Sequence, residues 1–325
     1  MMRYGRIEGV DKPVSRVVCG TAFKVMLEGG DASELLDRAV ACDINAFDCA
    51  ENYGKAEISL GDWLKGRNDR ERLVIETKGC HPDFGEGWVR SRVTKEALDR
   101  DLAQSLDRLH TGYVDIYMLH RDDPDVPAGE IVEWLNEHHR KGEIRAFGGS
   151  NWSCARIAEA NRYAAEHDLT PFTVSSPNFG LAVEHENPWV GEGVTIGGAD
   201  HAADRDWYRG NGMAVFAYSA LARGFMTGMF PSSDRASAER VLDQEARKGF
   251  LYDDNFERLH RAEQLAGRKG ATVAQIAVAW LFHQGMNVFA LLSCTSLPII
   301  EANAAAADID LTDEECAWLN LDEAR

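Results

Sequence analysis

Basic charge is scarce in this chain: 35 Lys and Arg stand against 53 Asp and Glu, a formal charge of −18. Partners that are polyanions bind through clustered cationic side chains, so this balance argues against nucleic acid or an anionic membrane. No apolar run is long enough to span a bilayer. The opening Met1-Met2-Arg3-Tyr4-Gly5 lacks the apolar core of a signal peptide, and a cytoplasmic protein is expected. The seven cysteines, Cys19, Cys42, Cys49, Cys80, Cys154, Cys294 and Cys316, are odd in number and form no Cys-x-x-Cys pair, so they read as reduced, mostly structural thiols. His138-His139 is expected to be a solvated pair rather than a metal site, because neighbours on a helix point in different directions. No metal is expected. Nor does any strand-like run open into Gly-x-Gly-x-x-Gly, which argues against a doubly wound dinucleotide fold.

What the chain does have is alternation. Strand-like runs occur at 16–20, 45–47, 72–77, 114–119, 145–148, 172–176, 213–218 and 288–292, and helical sequence follows each. Asp31-Ala32-Ser33-Glu34 resembles a capping box, Thr94 opens a helix that Gly112 closes, and Thr312 with Glu315 opens the final helix. Eight strand–helix units over 325 residues predict a (β/α)₈ TIM barrel, a single domain spanning 1–325. No internal repeat or interdomain linker divides it. Residues 81–88, 180–212 and 223–255 are long for loops and would emerge at the C-terminal face of such a barrel.

Four strand ends carry the chemistry: Asp48 to Gly54, Thr77-Lys78-Gly79, Leu119-His120 and Gly149-Ser150-Asn151. Reducing a carbonyl by hydride leaves a developing alkoxide that needs a proton. Tyr53 can donate it, but an unperturbed phenol, with a pKa of about 10, is a weak acid at neutral pH. A neighbouring ammonium lowers that value, and Lys78 can supply one, held charged by Asp48. His120 can hydrogen-bond the substrate oxygen or share in proton transfer. Each residue also has a plainer reading: Tyr53 as packing, Asp48 or Ser150-Asn151 as helix caps, Lys78 as a solvated strand end, His120 as a loop anchor.

The ordered set Asn45-x-Phe47-Asp48-x-Ala50-x-x-Tyr53-Gly54, Lys78, His120, Gly149-Ser150-Asn151, Tyr218-Ser219-Ala220-Leu221-Ala222-Arg223-Gly224 and Asn303 resembles the aldo-keto reductases over nearly the full length. The resemblance implies a (β/α)₈ barrel that binds a nicotinamide cofactor, NADP(H) or NAD(H), without a Rossmann domain. It implies Asp48, Tyr53, Lys78 and His120 as the catalytic residues, with Tyr53 the acid in reduction and the base in oxidation. Ser150 and Asn151 would bind the carboxamide, Tyr218 would stack on the nicotinamide, and Ser219, Leu221 and the following loop would contact the pyrophosphate. Gly20, Thr21, Ser293, Thr295 and Asn303 complete the expected cofactor contacts.

Two departures from the family pattern matter. Ser176 stands where the family usually has Gln as a third carboxamide partner, and its shorter side chain would need a water bridge. Ser293 to Asn303 contains no basic residue for a 2′-phosphate and includes the acidic Glu301. The family favours NADPH, while this local chemistry favours NADH or dual use. Phe23, Trp88, Trp152 and Trp189 either rim the barrel mouth and face a small carbonyl or alcohol substrate, apolar, aromatic or sugar-like, or pack within their loops. Two other readings stay open: a Schiff-base lyase or aldolase with Lys78 as nucleophile, and a cofactor-binding regulatory subunit of slow turnover.

Overall fold

The computed structural model describes residues 2–189 and 191–322. Its strands are β1 (Tyr4–Ile7), β2 (Val10–Ser15), β3 (Val17–Gly20), β4 (Ala46–Asp48), β5 (Val74–Gly79), β6 (Asp83–Gly85), β7 (Trp88–Arg90), β8 (Val114–Leu119), β9 (Ile144–Ser150), β10 (Val174–Ser176), β11 (Ala214–Ala217) and β12 (Asn287–Ser293). Its helices are α1 (Lys24–Leu27), α2 (Ser33–Ala41), α3 (Ala56–Lys65), α4 (Lys95–Arg108), α5 (Ala128–Lys141), α6 (Cys154–Glu166), α7 (Ala202–Asn211), α8 (Arg235–Val241), α9 (Gln244–Phe250), α10 (Asp253–Lys269), α11 (Val273–Phe282), α12 (Leu297–Ala305) and α13 (Asp313–Leu319).

The eight predicted strands form a closed parallel barrel in the order β3-β4-β5-β8-β9-β10-β11-β12, closed by Leu291 pairing with Val18 and Ser293 with Gly20. The fold is the (β/α)₈ barrel expected. Side chains alternate along a strand, so the interior is set residue by residue. Val18, Ala46, Val74, Ile116, Met118, Ala146, Val174, Ala214, Phe216 and Phe289 fill it with apolar groups. The same alternation points Asp48, Glu76, Lys78, His120, Ser150, Ser176 and Tyr218 inward at the C-terminal end. The other parity, such as Phe47, Ile75, Tyr117 and Phe147, packs beneath the helices.

Several local expectations change. The antiparallel hairpin β1–β2 was not anticipated; its Ile7, Val10 and Val14 join the interior cluster and plug the N-terminal end. Segment 81–88 is also partly regular, forming the hairpin β6–β7. The long segments contain α7, α8 and α9 rather than open loop. Asp31 does not build a capping box: its side chain accepts from Ser33 N at 2.9 Å, and Ala32 is the N-cap. Helix α4 stops at Leu109 and turns through a left-handed His110, before Gly112 is reached. Thr94 and the Thr312–Glu315 capping box stand as expected. His138 is not solvated. It is buried with Nδ1 2.6 Å from Glu143 and Nε2 2.9 Å from Asp99, because its helix face lies against α4.

Among the described residues no helix is long and apolar enough to cross a membrane. The seven cysteines are free, and no cluster of His, Cys, Asp and Glu among those residues could hold a metal ion.

Candidate active site

Lys78 is 3 % exposed, and its ammonium hydrogen-bonds three oxygens. It donates to Asp48 Oδ1, to the Cys49 carbonyl at 3.0 Å and to Glu76 Oε2 at 3.2 Å. Asp48 and Glu76 are register partners on adjoining strands, both inward and both buried. Glu76 lay outside the sequence-based site, and the fold places it directly below Lys78. The ammonium is held well above its ordinary pKa: burial alone would lower it, but Asp48 and Glu76 outweigh burial. An amine so fixed in its charged form is a poor nucleophile, which counts against the Schiff-base reading.

The half-buried ring of Tyr53 stands over this cluster, its centroid 5.5 Å from Lys78 Nζ and 5.7 Å from the His120 ring. The turn that holds it depends on Gly54, whose φ of 54° is left-handed and whose missing Cβ would lie 2.7 Å from the Leu27 carbonyl. The Tyr53 hydroxyl makes no hydrogen bond to another described residue. Lys78 was expected to make the phenol more acidic, and its contribution does act that way. Burial outweighs it, Asp48 and Glu76 add to burial, and the net shift of Tyr53 is upward.

His120 is driven well below its ordinary pKa by burial first and then by Lys78, so its ring is neutral at neutral pH. Its Nδ1 is buried without a partner. His81 packs edge-on at 4.7 Å, and burial lowers its pKa to about 4. Arg121 donates to the His120 carbonyl at 2.9 Å while its Nε stays unpartnered. Glu184, also carrying an unpartnered oxygen, is pushed up by burial to about 7.

On the neighbouring strands, Ser150 Oγ donates to the Ser176 carbonyl at 3.1 Å. Asn151, left-handed at φ 60°, accepts from Tyr218 OH at 2.7 Å and Val194 N at 3.1 Å. Neither residue caps a helix; Ser153 caps α6. Ser176 is fully buried with its hydroxyl donated to the Phe216 carbonyl at 2.8 Å, and the Thr21 hydroxyl is given to the Asp48 carbonyl at 2.8 Å. Two residues beyond Ser176 lies Asn178, which the sequence reading passed over. It bridges to Tyr218, accepts from Thr195 at 3.0 Å and leaves Nδ2 buried and unpartnered. Its place at the strand end, with the parity of Ser176, was the available signal.

Gly20 ends β3. Ser219, also left-handed, and Leu221 follow Tyr218 in the β11 loop. Ser293 and Thr295 are exposed at the end of β12, and Asn303 donates to the Ser293 carbonyl at 3.1 Å. Glu301 lies 3.5 Å from Arg38 of α2, a cation that a linear reading of 293–303 could not reveal.

The expected aromatic rim is corrected in part. Trp152 is fully buried on the outer face of β9, against Phe172 at 5.0 Å and over Gly149, where a Cβ would meet its ring at 2.4 Å. The left-handed turn at Asn151 drops it into the strand–helix layer, away from the mouth. Phe23 is also turned into that core, 8 % exposed. Trp88 is exposed on the β6–β7 hairpin. Trp189 packs edge-on to Tyr218 at 6.4 Å with the Arg223 guanidinium over its ring.

A family model described as the aldo/keto reductase family matches residues 26–321. The chain belongs to the aldo/keto reductase family. It is 27% identical over 302 residues to the aldo-keto reductase str7 of Strobilurus tenacellus, covering 91% of this chain and 82% of that protein. It is also 27% identical over 320 residues to the NADH-specific methylglyoxal reductase of Escherichia coli (strain K12), covering 92% and 90%. This aldo/keto reductase is therefore an oxidoreductase of a family that uses nicotinamide cofactors on small-molecule carbonyl substrates.

Proposed function

We propose that this aldo/keto reductase interconverts a small carbonyl compound and its alcohol, with Tyr53 as the general acid of reduction and NADH as the preferred cofactor. The observation that carries the reading is the inward layer in which Tyr53 is flanked by Lys78 at 5.5 Å and His120 at 5.7 Å. Bound nicotinamide supplies the hydride. His120, neutral, donates an N–H to the carbonyl oxygen and orients it beside the Tyr53 hydroxyl, which gives up its proton to that oxygen. Lys78 stabilises the resulting phenolate. In oxidation the same proton moves the other way.

The donor set fits a planar ring bearing an amide. Asn178 offers an unpartnered N–H, and Ser150 and Asn151 offer hydroxyl and amide groups. The Tyr218 ring supplies a flat floor. With the Ser176 hydroxyl already donated to Phe216, Asn178 is the better source of the third carboxamide contact. Gly20, Thr21, Ser219, Leu221, Ser293, Thr295 and Asn303 would line the remainder of the cofactor. NADH is preferred because Glu301 places a carboxylate near the ribose end and occupies Arg38, which leaves little to neutralise a 2′-phosphate. Trp189 and Arg121 would meet the substrate.

Paired titrations with NADH and NADPH, read by tryptophan fluorescence, test the cofactor; turnover of an aldehyde and ketone panel tests the reaction. Tighter NADH binding and carbonyl-dependent NADH oxidation are expected. Binding of neither nucleotide would overturn the reading. Binding without turnover at high enzyme concentration would favour the regulatory subunit instead.

A further inference from the structure

The reaction read above, on which this inference rests, uses Asp48, Tyr53, Lys78 and His120. It assigns nothing to Glu76, a buried carboxyl on the inward face of β5. Glu76 is 1 % exposed, and its Cα is paired with that of Asp48 across β4 and β5. Both carboxyls reach the same ammonium, Asp48 through Oδ1 and Glu76 through Oε1 and Oε2. Between them they have one ammonium, Lys78, which makes its close contact with Asp48. Glu76 Oε2 accepts from Lys78 at 3.2 Å; Oε1 is 3.0 Å from the same nitrogen but lacks hydrogen-bond geometry and has no other partner. From β8, Glu76 is flanked by its register partner Ile116 and by Met118, both apolar, and below it lies the apolar interior closed by Ile7, Val10 and Val14. Tyr53, His120, Cys19 and Cys49 are the other ionisable side chains around the cluster.

Among the described residues, two buried carboxylates share one ammonium, which leaves a buried net negative charge and one carboxylate oxygen, Glu76 Oε1, without a hydrogen bond. Like charges this close do not both ionise. A proton on Glu76 Oε1 resolves both problems: the oxygen becomes a donor, Asp48 is its acceptor, and the cluster carries one negative and one positive charge.

We propose that Glu76 is a positioning residue of this site: a neutral carboxylic acid that shares its proton with Asp48 and holds Lys78 from below, so that Tyr53 faces an ammonium not swamped by excess negative charge. Burial acts on Glu76 in the same sense and Asp48 adds to it, against Lys78. The role falls to Glu76 rather than Asp48 because Asp48 has the closer contact with Lys78.

Infrared spectra of the nucleotide-free enzyme at pH 7 test the proton directly. The wild type is expected to show a protonated-carboxyl C=O stretch that Glu76→Gln lacks; identical spectra in that region would overturn the proposal. Turnover tests the role. Glu76→Leu removes the contact, and its kcat on a carbonyl substrate should fall about tenfold, the scale of one charge-assisted hydrogen bond, with KM little changed. Glu76→Gln keeps the shape and the neutrality and should regain most of that loss. A Leu variant at wild-type rate, or a Gln variant as slow as Leu, would refute it. If the Leu variant does not fold, the Gln variant and the infrared band still decide. Should the wild type turn over no carbonyl compound, the proposed reaction fails, while the band still tests the shared proton.

Discussion

Lys78→Met isolates the electrostatics of the site from its chemistry. Methionine keeps an apolar stem of similar reach, so packing is little disturbed and the loss is chiefly the ammonium. That ammonium is 3 % exposed and bonded to Asp48, Glu76 and the Cys49 carbonyl. Removing one partner of a buried ion pair leaves an uncompensated charge, at a cost of about 3–5 kcal/mol. This is a large part of the stability of about 5–15 kcal/mol usual for a domain. The carboxyl pair has one way to relieve the deficit, which is to bind a further proton. The variant's native state then holds more protons than its unfolded state across neutral pH, so its stability falls as pH rises. Relative to wild type, the penalty should therefore be full at pH 8 and clearly smaller at pH 5.5. Urea unfolding followed by the fluorescence of the eight tryptophans measures both. A penalty below about 1 kcal/mol at pH 8, or one equal at the two pH values, would refute the buried-charge argument.

Further outcomes are expected at other residues. Tyr53→Phe deletes a hydroxyl that no described residue binds, so stability should change by less than about 0.5 kcal/mol and nucleotide affinity should hold, while kcat falls about 10²–10⁴-fold; steady-state kinetics showing less than a tenfold loss would remove Tyr53 as the acid. Glu184, raised from 4.5 to about 7 by burial, contributes its full stability below pH 4.5 and loses it as pH rises through 7. Glu184→Gln should accordingly stabilise the protein by about 1–3 kcal/mol at pH 8 and by nothing near pH 4 in denaturant titrations. Glu301→Lys frees Arg38 and adds a cation at the proposed adenosine end; NADPH affinity should rise about tenfold relative to NADH, and an unchanged ratio would place the 2′-position elsewhere.

Much of the site was legible because it is local and periodic. In a parallel barrel, a polar residue at the end of an apolar run is inward or outward by parity, and Asp48, Lys78 and His120 share the inward one. Trp152 misled because it follows Asn151 in sequence. Only the left-handed backbone at Asn151 shows that the chain turns it outward onto Gly149. His138 misled for a different reason: one of its two partners, Asp99, is 39 residues away. Arg38 is likewise distant from Glu301 in the chain, and no inspection of the segment after β12 alone would pair them.

Glu76 combines these difficulties. All six residues of β5 are buried, so the strand carries no polar–apolar alternation to mark which face Glu76 occupies. Its meaning comes from Asp48, a register partner on another strand, and from what lies underneath. The β1–β2 hairpin, too short and too charged at Asp11 and Lys12 to stand out as strand, seals the lower barrel with Ile7, Val10 and Val14. That seal denies the two carboxyls any route to water from below. Were the lower barrel open, Glu76 could ionise against solvent and Lys78 would be one surface ammonium among many. Because it is closed, the charge balance has to be struck within Asp48, Glu76 and Lys78. The apolar end of the barrel thereby governs the electrostatics felt by Tyr53 at the other.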